Sequence, residues 1–233
     1  MNSKRFAANW IASGMMAGVC FLASPGRAQF VTNTYNFPVN QAIPDNNLSG
    51  VSDTRSILPG ILSLTDVTVT LNVTGGFNGD FYAYLTHDSG FAVLLNRAGR
   101  TAGNDFGYPD SGFNVTFEDD AANGDIHNYR LTSNPNGGAL TGTWEPDGRN
   151  VHPANSLDTT PRDPTLLSFQ GLGADGDWTL FVADVSSVGN GVFDSWGMTM
   201  VGAVPEPGTF ALLGMGAAIL LLAARRRLRG RHN

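Results

Sequence analysis

The stretch Val67-Thr68-Val69-Thr70-Leu71-Asn72-Val73-Thr74 alternates apolar and polar side chains over eight consecutive positions. That is the two-residue period of a β-strand with one face on a core and the other toward water, so Val67, Val69, Leu71 and Val73 are expected to point inward. Outward from it, Gly75-Gly76 and Asn78-Gly79 mark a turn, and residues 81–85 and 91–95 read as two further strands. Residues 113–117, 178–183 and 193–201 read as later strands, separated by Gly, Asn, Asp and Pro. No helical period survives between residues 29 and 204. Short strands joined by glycine-rich turns predict an all-β fold, an antiparallel jelly-roll β-sandwich.

A chain of 233 residues has room for one sizeable domain once its ends are set aside. Its formal net charge of −6 hides an asymmetry, because most basic residues lie near the two termini. Between residues 29 and 204 nineteen Asp and Glu face six Arg and no Lys, a net charge of −13. Such a field repels polyphosphates, which argues against nucleic acid as a partner, and it favours divalent cations. The single cysteine, Cys20, falls in the N-terminal apolar run. Disulfides, thiolate-bound zinc and cysteine nucleophiles are thereby excluded from the rest of the chain.

At the N-terminus Lys4 and Arg5 precede an apolar run, residues 6–22, and then Ser24-Pro25-Gly26-Arg27-Ala28. This is secretory signal-peptide architecture with a cut expected after Ala28; a buried N-terminal helix is the structural alternative. At the other end, Val204-Pro205-Glu206-Pro207-Gly208 opens a second apolar run, residues 210–224, closed by Arg225-Arg226-Arg227. Fifteen helical residues span about 22 Å, short of the ~30 Å hydrocarbon core, so this reads as a short transmembrane helix only with snorkelling or thinning. The order Pro-Glu-Pro, apolar helix, arginine cluster resembles the PEP-CTERM sorting signal of Gram-negative bacteria. The resemblance implies Pro205, Glu206 and Pro207 as the sorting motif, an exosortase-type processing enzyme as partner, and export to the cell envelope or surface. The expected organisation is a signal peptide at 1–28, a lead-in at 29–42, the sandwich at 43–202 and the sorting tail at 203–233.

The sandwich segment itself resembles a known module. Its landmarks run in order: Ile43-Pro44-Asp45-Asn46-Asn47; Gly79-Asp80-Phe81; Thr116-Phe117-Glu118-Asp119-Asp120-Ala121; Gly142-Thr143-Trp144-Glu145-Pro146; Leu167-Ser168-Phe169-Gln170-Gly171; and Gly176-Asp177-Trp178-Thr179-Leu180-Phe181-Val182-Ala183-Asp184 with Gly191-Val192-Phe193-Asp194-Ser195-Trp196. Together these resemble the P domain (P/Homo B) that follows the catalytic domain of subtilisin-like proprotein convertases and recurs in secreted bacterial proteins. The resemblance implies a jelly-roll sandwich and an association with serine endopeptidases.

The protease chemistry itself is not visible. A serine protease needs a nucleophile, a histidine and an orienting carboxylate within reach of one another. The exported segment holds only His87, His127 and His152, in no glycine-rich catalytic setting, and it has no His-Glu-x-x-His for zinc. Gly171, Gly173 and Gly176 precede neither helix nor lysine, so they read as a strand connection rather than a phosphate loop. Carboxylates remain. Alternation on the strand from Trp178 carries Asp184 onto the end of an apolar face, where a carboxylate needs a partner. Asp45, Asp119, Asp120 and Asp184 are the candidate calcium ligands, with Asp80 a fifth; turn capping is the alternative use of each. Tyr82 and Tyr84 point away from the core face, where they could stack on sugar rings or pack across strands.

The leading expectation is an exported interaction or structural module without catalytic residues. A calcium-dependent binder of envelope polysaccharide and an accessory domain to a subtilisin-like protease are the alternatives.

Overall fold

The computed structural model describes residues 29–163, 165–205, 214–222 and 225. The signal peptide expected at 1–28 lies outside them, as do Glu206 and Pro207. Among the described residues nine strands form two sheets. They are β1 (Gln29–Ile43), β2 (Asn47–Ile57), β3 (Ser63–Gly75), β4 (Phe81–His87), β5 (Gly90–Asn96), β6 (Phe113–Phe117), β7 (Leu140–Trp144), β8 (Gly176–Asp184) and β9 (Gly191–Val204). One sheet has the order β1-β9-β3-β6-β7 and the other β2-β8-β4-β5. Successive strands cross repeatedly from sheet to sheet, which makes the expected sandwich. Every pairing is antiparallel except β6 with β7, which is parallel because the chain loops over residues 118–139 before returning.

The opening stretch lies within β3, and Val67, Val69, Leu71 and Val73 are all buried, as the alternation requires. They meet Trp178, Leu180 and Val182 of β8 and Phe81, Ala83 and Leu85 of β4 in one continuous core. Trp144, Trp178 and Trp196 are the largest residues in it. Each keeps a partner for its indole N–H, which donates to Thr141 O, Ala174 O and Asp53 Oδ2 respectively. A buried indole without an acceptor would forfeit part of what its area contributes.

Residues 29–42, expected as a lead-in, are instead strand β1, which pairs with β9 from Gln29↔Val204 to Ile43↔Gly191. Its side chains alternate exposed and half-buried rather than buried, the pattern of an edge strand, and this muted the sequence signal. The C-terminal expectation also changes. Residues 214–222 are helical, but among the described residues no helix is long and apolar enough to cross a membrane.

Candidate functional site

Asp184 ends β8, where it pairs with Phe81 of β4 on one side and Asn47 of β2 on the other. It is completely buried; its Oδ1 accepts from Ser186 N at 3.3 Å, whereas its Oδ2 has no partner. Asp80, immediately before β4, is 3% exposed and stands 3.6 Å from the Arg97 guanidinium. Asp45 lies in the β1–β2 turn and accepts from Val188 N in the β8–β9 loop. Burial, with the charges of Asp80 and Asp45, pushes the Asp184 carboxyl up to about 7. Burial likewise pushes Asp80 up to about 6, although Arg97 draws it back. One arginine thus serves an end of the sandwich that holds three carboxylates.

Of the four carboxylates expected to converge, the structure brings Asp45 and Asp184 to one end, together with Asp80. Asp119 and Asp120 are elsewhere. They follow β6, whose last residue Phe117 pairs with Val69, while the Asp184 end of the sandwich adjoins Gly75 and Gly191. Six residues of β3 separate those levels, about 20 Å at the rise of a strand. Asp119 has its own use, for its Oδ1 accepts from Leu166 N at 3.1 Å and so caps the short 3₁₀ turn Leu166–Phe169. Among the described residues no group of three or more carboxylate, imidazole or thiol side chains is placed to hold a metal ion by itself.

Each of the three described histidines has a structural contact. His87 stacks on Trp178 at 4.0 Å, with both ring nitrogens facing backbone carbonyls, Asp177 O and Gly173 O. His127 is completely buried, its Nδ1 2.8 Å from Asp147 Oδ2 and its Nε2 3.0 Å from Arg100 O. That second contact blocks the nitrogen a general base would need. His152 caps the 3₁₀ turn Pro153–Asn155 by accepting from Ala154 N. No catalytic constellation is evident among the described residues.

Sequence reading missed Arg97, Arg149 and Asp147, three buried charged groups. The Arg149 guanidinium bonds both Asp125 and Asp147 and is 2% exposed. The only sequence signal was the scarcity of cations, six arginines in a strongly acidic segment, which leaves each arginine with several carboxylates to choose from.

No curated protein matches the chain. Among solved structures, a chain of the complex between Aeromonas sobria serine protease and its chaperone is similar at 15% identity and a TM-score of 0.42, covering 76% of this chain and 28% of that one. The serine protease of Aeromonas sobria alone gives 16% identity, a TM-score of 0.43, and coverage of 77% and 28%. This chain therefore spans less than a third of the length of either solved chain. Residues 203–227 match the PEP-CTERM protein-sorting motif, which implies export in a Gram-negative bacterium and recognition by an exosortase.

Proposed function

We propose that the chain is an exosortase substrate whose sandwich, a P domain, serves in the cell envelope or at the cell surface as a binding and structural module rather than as an enzyme. The observation that carries this reading is the position of the sorting motif. It begins at residue 203, where β9 finishes pairing with Gln29 and Phe30 of β1. A cut after the Pro-Glu-Pro element would leave both sheets and the whole core intact. The P-domain reading is supported by its most specific landmarks falling on β8 and β9, the two strands that carry Trp178, Phe193 and Trp196 into the core. The test is made in the native host: Pro205→Ala combined with Glu206→Ala should block tail processing and surface display while leaving the protein folded. Unchanged processing and display would remove the exosortase from the account.

A second reading concerns calcium, and one observation favours it: Asp184 Oδ2 is buried without a partner beside Asp80 and Asp45. Arg97 balances one of these charges. A divalent ion taking Asp184, Asp45 and loop carbonyls would balance the rest, calcium being the ion that accepts such an irregular set of oxygens.

A further inference from the structure

The outer face of the β2-β8-β4-β5 sheet carries the usual polar residues along part of its length, where Thr54 and Thr179 bond each other, but turns aromatic toward one end. Tyr82 and Tyr84 of β4 and Phe181 of β8 form an aromatic floor there, with Tyr84 and Phe181 stacked at 4.7 Å and Tyr82 set across them at 56° and 65°. Two walls rise beside it. One is the β2 bulge, where the register jumps between Asn47 and Val51 and pushes Leu48 and Ser49 outward. Gly50 permits that bulge, since its φ is +47° and a Cβ there would meet Phe181. The other wall is the segment 150–153. Asn96 Nδ2 pins this segment from below by donating to Arg149 O and Val151 O at 2.8 and 3.0 Å, and the Arg149 guanidinium is itself held by Asp125 and Asp147. The result is an open groove of about 530 Å³ lined by Leu48, Ser49, Tyr82, Tyr84, Asn150 and His152, with Phe181 beneath.

The chemistry of the lining selects a ligand class. In a segment of net charge −13, not one lining residue is Asp, Glu, Lys or Arg. Around the apolar floor the groups on offer are hydroxyls of Ser49, Tyr82 and Tyr84, an amide of Asn150 and the imidazole of His152. His152 accepts from Ala154 N through Nδ1, which leaves Nε2–H as the donor on offer. Aromatic apolar area bordered by uncharged donors and acceptors fits a ligand that presents C–H faces and hydroxyl edges, the two surfaces of a pyranose. A polyanion is disfavoured by the acidic field, and a cation finds no counter-charge in the groove.

We infer that this groove binds a short stretch of neutral polysaccharide. The inference rests on the binding-module reading above, giving that module its ligand, and its test is independent of sorting. The full chain, purified in mild detergent, is run by affinity electrophoresis in gels containing dextran, galactomannan, xyloglucan or alginate. At least one neutral polymer should retard it, and alginate should not. Tyr84→Ala and His152→Ala should each weaken the retarding interaction at least tenfold, and Phe106→Ala, at an exposed residue outside the groove lining, should leave it unchanged. Melting curves identify variants that fail to fold, and Tyr82→Phe, which keeps the floor and removes one hydroxyl, serves as a conservative second variant with an expected two- to fivefold loss. Absence of retardation by every neutral polymer, stronger binding to alginate, or full retention in folded Tyr84→Ala and His152→Ala would each overturn the inference.

Discussion

His127 and Asp147 meet at 2.8 Å, Nδ1 to Oδ2, with both side chains completely buried. The other ring nitrogen faces Arg100 O, so only the imidazolium donates to both partners. Burial alone would lower the His127 pKa, but the hydrogen bond and charge of Asp147 outweigh it and hold the group above its ordinary value. A folded pKa above the unfolded one gives stability that is fully present below about 6.5 and is lost as pH rises through the folded value. His127→Gln is therefore expected to destabilise the protein by about 1–3 kcal/mol near pH 5.5, because Asp147 keeps Arg149 but loses a charged donor. The gap between the two melting curves should narrow above pH 7. A gap that stays constant from pH 5.5 to 9 would mean that the proton on His127 contributes nothing.

Val188 holds φ at +76° while 69% exposed, a costly conformation for a β-branched residue with no burial to offset it. Val188→Asn keeps the backbone N–H that faces Asp45 and tolerates the left-handed region. The variant is expected to be more stable by about 1 kcal/mol, read as a higher denaturation midpoint at unchanged slope. A lower midpoint would show that the Val188 side chain contributes packing that outweighs the strain.

Gly50 has the opposite role. A Cβ at this position would run into Val182 O and Phe181, and φ is already +47°. Gly50→Ala should cost about 2–4 kcal/mol, comparable to a core defect although the residue lies in a bulge. An Ala variant within 0.5 kcal/mol of the parent would mean that β2 has room to straighten, and the groove wall with it.

The fold was legible wherever one face of a strand is buried. Residues 113–117 coincide with β6, and the Trp178 and Phe193 stretches lie inside β8 and β9. Strands β1, β2 and β7 were not anticipated. Along β1 and β2 few residues are buried, so the alternation is of polar against half-exposed, and β7 carries Gly142 at φ +103° with only Leu140 and Trp144 buried. The candidate site was half legible. Alternation placed Asp184 correctly at the buried end of β8, because side-chain direction within one strand is a local property. Which other loops reach that end is set by topology, so Asp119 and Asp120, adjacent to a landmark in sequence, lie at another level of the sandwich. Asp80, only a fifth candidate, turns out to be a buried member of the group.

That topology makes Asp119 and Asp120, two of the four carboxylates expected to converge, internal controls for calcium binding at the Asp184 end. Asp184 Oδ2 is buried with no donor, and Arg97 offsets only one of three neighbouring charges. An ion that binds the native state alone stabilises it by RT ln(1 + [L]/Kd), about 2.7 kcal/mol at a hundredfold excess over Kd. For a chain of this size that is a rise in Tm of roughly 5–11 °C. The full chain should melt higher by that order in millimolar calcium than in chelator, and magnesium should do less because it prefers octahedral sites that retain water. Asp184→Asn should abolish most of the increment and Asp45→Asn part of it. Asp119→Asn should lower the baseline by loosening the Leu166–Phe169 turn yet leave the calcium increment intact. Equal melting temperatures in calcium and chelator, after removal of copurified metal, would leave the end of the sandwich as a plain carboxylate cluster on Arg97. An increment that survived Asp184→Asn but vanished with Asp119→Asn would move the ion to the far level, against the geometry of β3 and β6.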